Sequence, residues 1–204
     1  SVGEVVSLTI EERELLMRTC AAHVDGERAL ALSISDNCIE TSRRLADVAG
    51  ELAADLLMVS CPNYYSNTLN MLIEYFGALA EFASTDICLY DNPYASHTEL
   101  SVEDLKALSE AVPRISHVKV TDLSIEKVAL LRETTSLVIH AGDDAVLWHQ
   151  LSRGADGAMV ALPMIYPECA SELWRALQAG EEKEAFAAYG HATRFFHIAL
   201  GAPD

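Results

Sequence analysis

Apolar residues fall into two alternating rhythms along the chain. Short, almost uniformly apolar runs occupy residues 29–35, 55–61, 86–90, 115–121, 136–141 and 157–162. Between them, apolar residues recur at helical spacing over 10–24, 39–52, 69–82, 102–112, 125–132 and 145–151. The first rhythm predicts strands and the second predicts amphipathic helices. Their alternation predicts a parallel sheet with helices packed outside it. Because the strands are apolar at both parities, both faces of the sheet are expected to be covered. Leu15, Leu16, Leu72 and Phe76 are expected to be plain core positions of their helices.

Local signals agree with this division. Thr9 followed by Glu12 fits a capping box, and Ser101 with Asp104 and Ser124 ahead of Ile125 are good helix starts. Ser152-Arg153-Gly154-Ala155-Asp156-Gly157 reads as a helix exit leading into a strand. Residues 167–200 read as two helices broken near Gly180. No low-complexity linker divides the chain, so one α/β domain is expected, with 1–166 forming the strand-bearing part and 167–204 adding C-terminal helices. Two architectures fit the pattern: an open doubly wound sheet and a closed (β/α)8 barrel. A barrel needs eight strands and typically about 250 residues, against six predicted strands in 204 residues. Ser1-Val2-Gly3-Glu4 reads as a loop rather than the start of a domain. On a barrel reading, the sequence is expected to lack the first strands, with the C-terminal helices open to the same shortfall.

Composition narrows the function classes. The formal net charge is −17, and so acidic a surface repels phosphate backbones, which argues against nucleic-acid binding. No run of 18 or more apolar residues marks a membrane span, and no basic segment followed by an apolar stretch opens the chain. Cys20, Cys38, Cys61, Cys88 and Cys169 are odd in number and widely spaced. Reduced thiols in a cytoplasmic protein are the simpler reading, and zinc is not expected.

Lys119 is the most informative residue. It sits in Ile115-Ser116-His117-Val118-Lys119-Val120-Thr121, the middle of a predicted buried strand, whereas Lys106, Lys127 and Lys183 fall in helical segments. A lysine buried among apolar side chains tends to shed its proton, and a neutral amine is the nucleophile that imine formation with a ketone requires. The alternative is a lysine snorkelling from a strand end or paired with a carboxylate. Tyr90 ends another predicted strand and runs into Asp91-Asn92-Pro93. A tyrosine at the C-terminal mouth of a barrel can shuttle protons for such an amine, or it can be a core residue. Pro62-Asn63-Tyr64-Tyr65 follows a third strand and suits a pocket or an interface. Gly3-Glu4 can form a tight loop whose backbone N–H groups hold a carboxylate. His140-Ala141-Gly142-Asp143-Asp144 could suggest a metal site, but no second histidine stands at ligand spacing and HExxH is absent. No GxGxxG, Walker or GxSxG motif is present.

Taken in order, S-V-G-E, L-T-x-x-E-R, P-N-Y-Y, Y-D-N-P, V-K-V-T-D, A-G-D-D and G-A-D-G resemble the dihydrodipicolinate synthase / N-acetylneuraminate lyase family from Ser1 to about Pro167. The resemblance implies a (β/α)8 TIM barrel, truncated at its N-terminus in this sequence. It implies a class I pyruvate aldolase or lyase, without a cofactor, acting on a 2-keto acid such as pyruvate and an aldehyde. In that frame Lys119 is similar to the Schiff-base lysine. Tyr90 matches the tyrosine that relays protons and contacts the substrate carboxylate. Tyr64 matches the tyrosine that completes the relay, often from a neighbouring subunit. Ser1, with the backbone of Val2 and Gly3, would hold the pyruvate carboxylate. A homo-oligomer, dimer or tetramer, is implied. Two positions depart from the pattern. Val2 replaces a hydroxyl residue, and Ala95 stands where the lysine-biosynthesis enzymes carry an arginine for the aldehyde's carboxylate. A sugar-acid-like or neutral aldehyde partner is therefore expected over dihydrodipicolinate synthesis. A hydratase-aldolase, a dehydratase or a non-catalytic keto-acid-binding barrel are the alternatives.

Overall fold

The computed structural model describes residues 3–24, 26 and 28–199, with side chains described as far as residue 193. Six strands are present: β1 Ala31–Ser33, β2 Leu56–Ser60, β3 Ile87–Asp91, β4 Ile115–Val120, β5 Val138–Ala141 and β6 Gly157–Ala158. The helices are α1 Ile10–His23, α2 Ile39–Glu51, α3 Leu69–Phe82, α4 Pro93–Ser96, α5 Val102–Ala111, α6 Ile125–Thr134, α7 Leu147–Ser152, α8 Leu162–Ile165, α9 Pro167–Gln178 and α10 Glu182–Ala199. The strands lie in one sheet in chain order, and β1–β2, β2–β3 and β5–β6 pair in parallel. The predicted parallel α/β organisation is present. Backbone contacts divide the chain into two compact units, Ser1–Val118 and Lys119–Asp204, with the boundary inside β4.

In the first unit the apolar runs become β1 to β3, and Leu57, Val59, Ile87 and Leu89 are fully buried. Leu45 and Ala49 of α2, Leu72, Phe76 and Leu79 of α3, and Leu105 and Leu108 of α5 complete the core. The expectation that Leu72 and Phe76 are core holds; that for Leu15 and Leu16 does not. They are 66% and 51% exposed. The buried face of α1 is carried instead by Met17 and Arg13. Arg13 donates to Asp36 Oδ2 at 2.9 Å and to the Ser35 carbonyl at 2.7 Å. Turning a guanidinium inward towards these acceptors rotates the leucines outward.

Asp36 also accepts from the Cys38 backbone N–H, 2.9 Å, just ahead of α2. Replacing Asp36 with alanine is expected to cost about 3 kcal/mol, because a buried guanidinium loses its carboxylate. The double change Arg13→Met with Asp36→Leu is expected to recover most of that loss. Urea midpoints measure both. A single variant as stable as the parent would mean the pair contributes nothing.

Aspartates ahead of the strands tie neighbouring strands together. Asp55 Oδ2 accepts from Leu30 N at 2.8 Å, and Asp86 Oδ2 accepts from the Ser116 hydroxyl at 2.7 Å. In the second unit Asp156 Oδ2 accepts from Ile139 N at 2.8 Å, and Arg132 binds the same carboxylate.

The second unit packs α7, α9 and α10 together around Leu147, Leu173, Ala176 and Ala185. The strand predicted over 157–162 is shorter than expected. Asp144 takes the backbone N–H groups of Ala161 and Leu162 at 3.0 and 2.8 Å, and Pro163 has no N–H for a ladder. Leu162 therefore opens α8 rather than ending β6. The break near Gly180 is present, with Gly180 at φ 72° between α9 and α10. Among the described residues no helix is long and apolar enough to cross a membrane.

Candidate functional site

Tyr90 is the fourth residue of β3 and is buried. The motif that follows explains how it is held. Asn92 caps α4: its Oδ1 accepts from Ala95 N at 3.3 Å, its carbonyl accepts from Ser96 N at 3.0 Å, and Pro93 occupies the first helical turn. With Oδ1 committed to the cap, Nδ2 is turned to Tyr90 and donates to its phenolic oxygen at 3.0 Å. The phenol thus accepts from Asn92, which directs its own proton elsewhere. Sequence reasoning missed Asn92, although an Asn-Pro pair after a strand is a legible cap signal. Asp91, beside it, is almost fully buried.

Burial, with the charge of Asp91 adding to it, pushes the Cys61 thiol up to about 12. Cys38 is different. Hydrogen bonds from the Thr41 backbone and hydroxyl lower its thiol from the usual range. Thiolate is the reactive form. Iodoacetamide at pH 8 is therefore expected to alkylate Cys38 first and to leave Cys61 unmodified in the native chain, as peptide mapping would read. Early labelling of Cys61 would contradict its buried placement.

Tyr64 and Tyr65 lie on the loop after β2 and are 76% and 75% exposed, with ring centroids 4.6 Å apart. The loop beneath them is clamped on two sides. Asn37 Nδ2 donates to Asn63 Oδ1 at 2.8 Å while Asn63 N donates to Asn37 Oδ1 at 2.9 Å. Asn67 Nδ2 reaches the Pro62 carbonyl at 2.8 Å and the Thr98 hydroxyl at 3.0 Å. These bonds hold Tyr64 at φ 87°, a conformation that side chains rarely adopt. The tyrosine pair is therefore a rigidly mounted aromatic projection rather than a lining of the first unit's core.

Lys119 is the penultimate residue of β4 and 9% exposed. It is not alone in being buried: Lys127, read from sequence as an ordinary helical lysine, is 7% exposed. Lys127 Nζ lies 3.2 Å from Asp122 Oδ2. Downstream, Thr121 Oγ1 donates to the Gly142 carbonyl at 3.3 Å, and Gly142 N donates to the Val120 carbonyl at 2.9 Å. A Cβ at Gly142 would sit 2.4 Å from Thr121 Oγ1 and 2.7 Å from the Val120 carbonyl oxygen, so only glycine allows this approach.

In the His140-Ala141-Gly142-Asp143-Asp144 run, weighed as a metal candidate, the two aspartates serve the backbone. Asp143 Oδ1 accepts from Ala145 N at 2.8 Å, and Asp144 anchors α8 as described. Among the described residues no group of three or more histidine, cysteine or acidic side chains could hold a metal ion. Gly3 is exposed in a turn ahead of Glu4, which takes φ 45°. Ser1 and Val2 lie outside the described residues.

The model of the dihydrodipicolinate synthetase family matches residues 1–200. The chain belongs to this family. It is 28% identical over 181 residues to the 4-hydroxy-tetrahydrodipicolinate synthase of Corynebacterium aurimucosum, covering 89% of this chain and 60% of that relative. Among solved structures, the 4-hydroxy-tetrahydrodipicolinate synthase of the methanotroph Methylacidiphilum fumariolicum SolV superposes with a TM-score of 0.90. It is 26% identical and covers 98% of this chain and 68% of that one. YagE, a prophage protein of the same family from E. coli K12 whose structure is in complex with pyruvate, shares the fold. Its TM-score is 0.90 at 23% identity, over 97% of this chain and 68% of its own. The chain thus spans about three fifths of the length of the first of these relatives. Family membership accounts for the collinear motifs and sets their local roles apart: the Asn-Pro cap, the clamped tyrosine loop and the close Gly142 approach are each built from motif residues. Ala95, where this chain departs from the expected arginine, is exposed on α4 and offers only its backbone N–H, to Asn92.

Proposed function

We propose that this chain carries the imine-forming machinery of a pyruvate-dependent class I aldolase or lyase on a (β/α)8 barrel. The observation that carries the reading is a lysine buried near the end of a central strand, in a chain matched over residues 1–200 by this family's model. The amine of Lys119 adds to the ketone carbon of pyruvate, and loss of water leaves an iminium. The iminium accepts the electron pair released when a C–C bond breaks, or it loses a methyl proton to give an enamine that attacks an aldehyde. Tyr90 moves protons between amine, carbinol oxygen and solvent, its phenol oriented by Asn92. Tyr64 completes the relay from a neighbouring copy, for which its exposure on a clamped loop is suited, so the working form is a homodimer or homotetramer. Ser1, Val2 and Gly3 receive the keto-acid carboxylate. No cofactor enters the reaction. The five free thiols support a reducing, cytoplasmic setting.

The aldehyde is a sugar-acid-like or neutral one, because Ala95 supplies no cation for a second carboxylate. The name of the Corynebacterium aurimucosum relative favours a second reading, 4-hydroxy-tetrahydrodipicolinate synthesis. An aldehyde panel separates them by which substrate consumes pyruvate. The primary test is incubation with pyruvate and borohydride followed by peptide mass spectrometry. A reduced pyruvate adduct is expected on Lys119 and not on Lys127, whose Nζ is engaged by Asp122 Oδ2 at 3.2 Å. An adduct on Lys127, or none, removes the imine reading.

A further inference from the structure

The backbone immediately after Lys119 is gripped by a side chain that no motif announces. Gln150 of α7 is completely buried. Its Nε2 donates to the Val120 carbonyl at 3.3 Å and to the Asp122 carbonyl at 3.1 Å, and its Oε1 accepts from Gly142 N at 3.3 Å. Both N–H groups and the carbonyl of the amide are therefore engaged. A fully satisfied buried amide specifies one arrangement of the groups it joins, because every alternative leaves a polar group unmatched in the interior.

The groups it joins are the strand end that follows Lys119 and the turn that follows β5. Val120 is held from two directions, by Gly142 N and by Gln150. Asp122 is held at its carbonyl by Gln150. Its carboxylate is held by Ser124 N at 2.7 Å and Lys127 Nζ at 3.2 Å. The path from Lys119 to α6 has no slack at Val120 or Asp122.

We propose that Gln150 is a positioning residue for the Lys119 amine: by bridging Val120, Asp122 and Gly142 it sets the strand end from which that side chain projects. The catalytic consequence rests on the Schiff-base reading above. The effect on the amine's own accessibility and reactivity does not.

The test compares the parent with Gln150→Met, which keeps the length and apolar volume but none of the hydrogen bonds, and with Leu131→Val, which trims a fully buried α6 side chain. Three quantities are measured on the whole chain: urea midpoint, rate of pyruvate–borohydride adduct formation at low and at saturating pyruvate, and rate of acetic anhydride modification of Lys119 relative to the exposed Lys106 of α5. Gln150→Met is expected to slow adduct formation at saturating pyruvate by about 10- to 100-fold, since a misplaced reacting group costs that much, and to change the Lys119:Lys106 acetylation ratio. Leu131→Val is expected to lower the urea midpoint while leaving both rates within about twofold of the parent. Parental rates in Gln150→Met, or equal rate losses in both variants, would overturn the assignment. If the parent itself yields no pyruvate adduct, the Schiff-base reading fails on its own, and the acetylation ratio alone decides for or against Gln150.

Discussion

Lys119→Met is expected to abolish the pyruvate adduct and all turnover without unfolding the chain. Methionine follows the lysine's course for most of its length but has no nucleophilic nitrogen, so the covalent intermediate has nothing to form on. The fold is expected to survive, because methionine fills most of the volume that the buried lysine occupies on β4. Activity and urea midpoint measured on the same preparation check both halves. Turnover that survives in Lys119→Met would place the chemistry on another residue. A collapse of the midpoint would make Lys119 a structural lysine.

Tyr90→Phe should be the second-largest effect, with turnover at saturating pyruvate reduced by about 10²- to 10⁴-fold, the range for a lost proton-transfer group. The borohydride adduct should still form, more slowly, because the amine remains. Removing the phenolic oxygen also strips the acceptor from Asn92 Nδ2, whose other end stays bound to the α4 cap. A buried donor left without a partner costs about 1–3 kcal/mol, so a modest fall in stability should accompany the kinetic loss. Unchanged turnover with the same fall in stability would reduce Tyr90 to a core residue.

Much of the fold is legible because strand and helix periodicities differ so plainly in this chain. The helix over 69–82 and the break at Gly180 are read directly from spacing and from glycine. Where the reading fails, a polar side chain has overridden the apolar pattern. Arg13 turns inward to Asp36, and the adjacent Leu15 and Leu16 are carried to the surface, which a count of apolar positions does not foresee. Residues 159–162 look like strand, but after the Met159 N–H, which still donates to the Ala141 carbonyl, Asp144 takes the N–H groups of Ala161 and Leu162.

The candidate site is legible in its types and less so in its supports. Lys119 and Tyr90 stand out because a lysine and a strand-terminal tyrosine are rare in apolar runs. Lys127 did not stand out, since its burial depends on Asp122 folding back from the preceding turn, although Asp-x-Ser-x-x-Lys carries the hint of a capped helix with an acidic neighbour. Gln150 left no trace: within an amphipathic helix a glutamine reads as solvent-facing, and only its three hydrogen bonds beyond its own helix reveal it.

The Asn92–Pro93 junction has one more consequence, for the chemical lifetime of the protein. Asparagine deamidates when the peptide nitrogen of the next residue attacks the side-chain amide to close a succinimide ring. At position 93 that nitrogen belongs to proline and carries no hydrogen, so this route is closed. The amide that orients the Tyr90 phenol is therefore protected from succinimide-mediated deamidation, and with it the hydrogen-bond polarity of that pair.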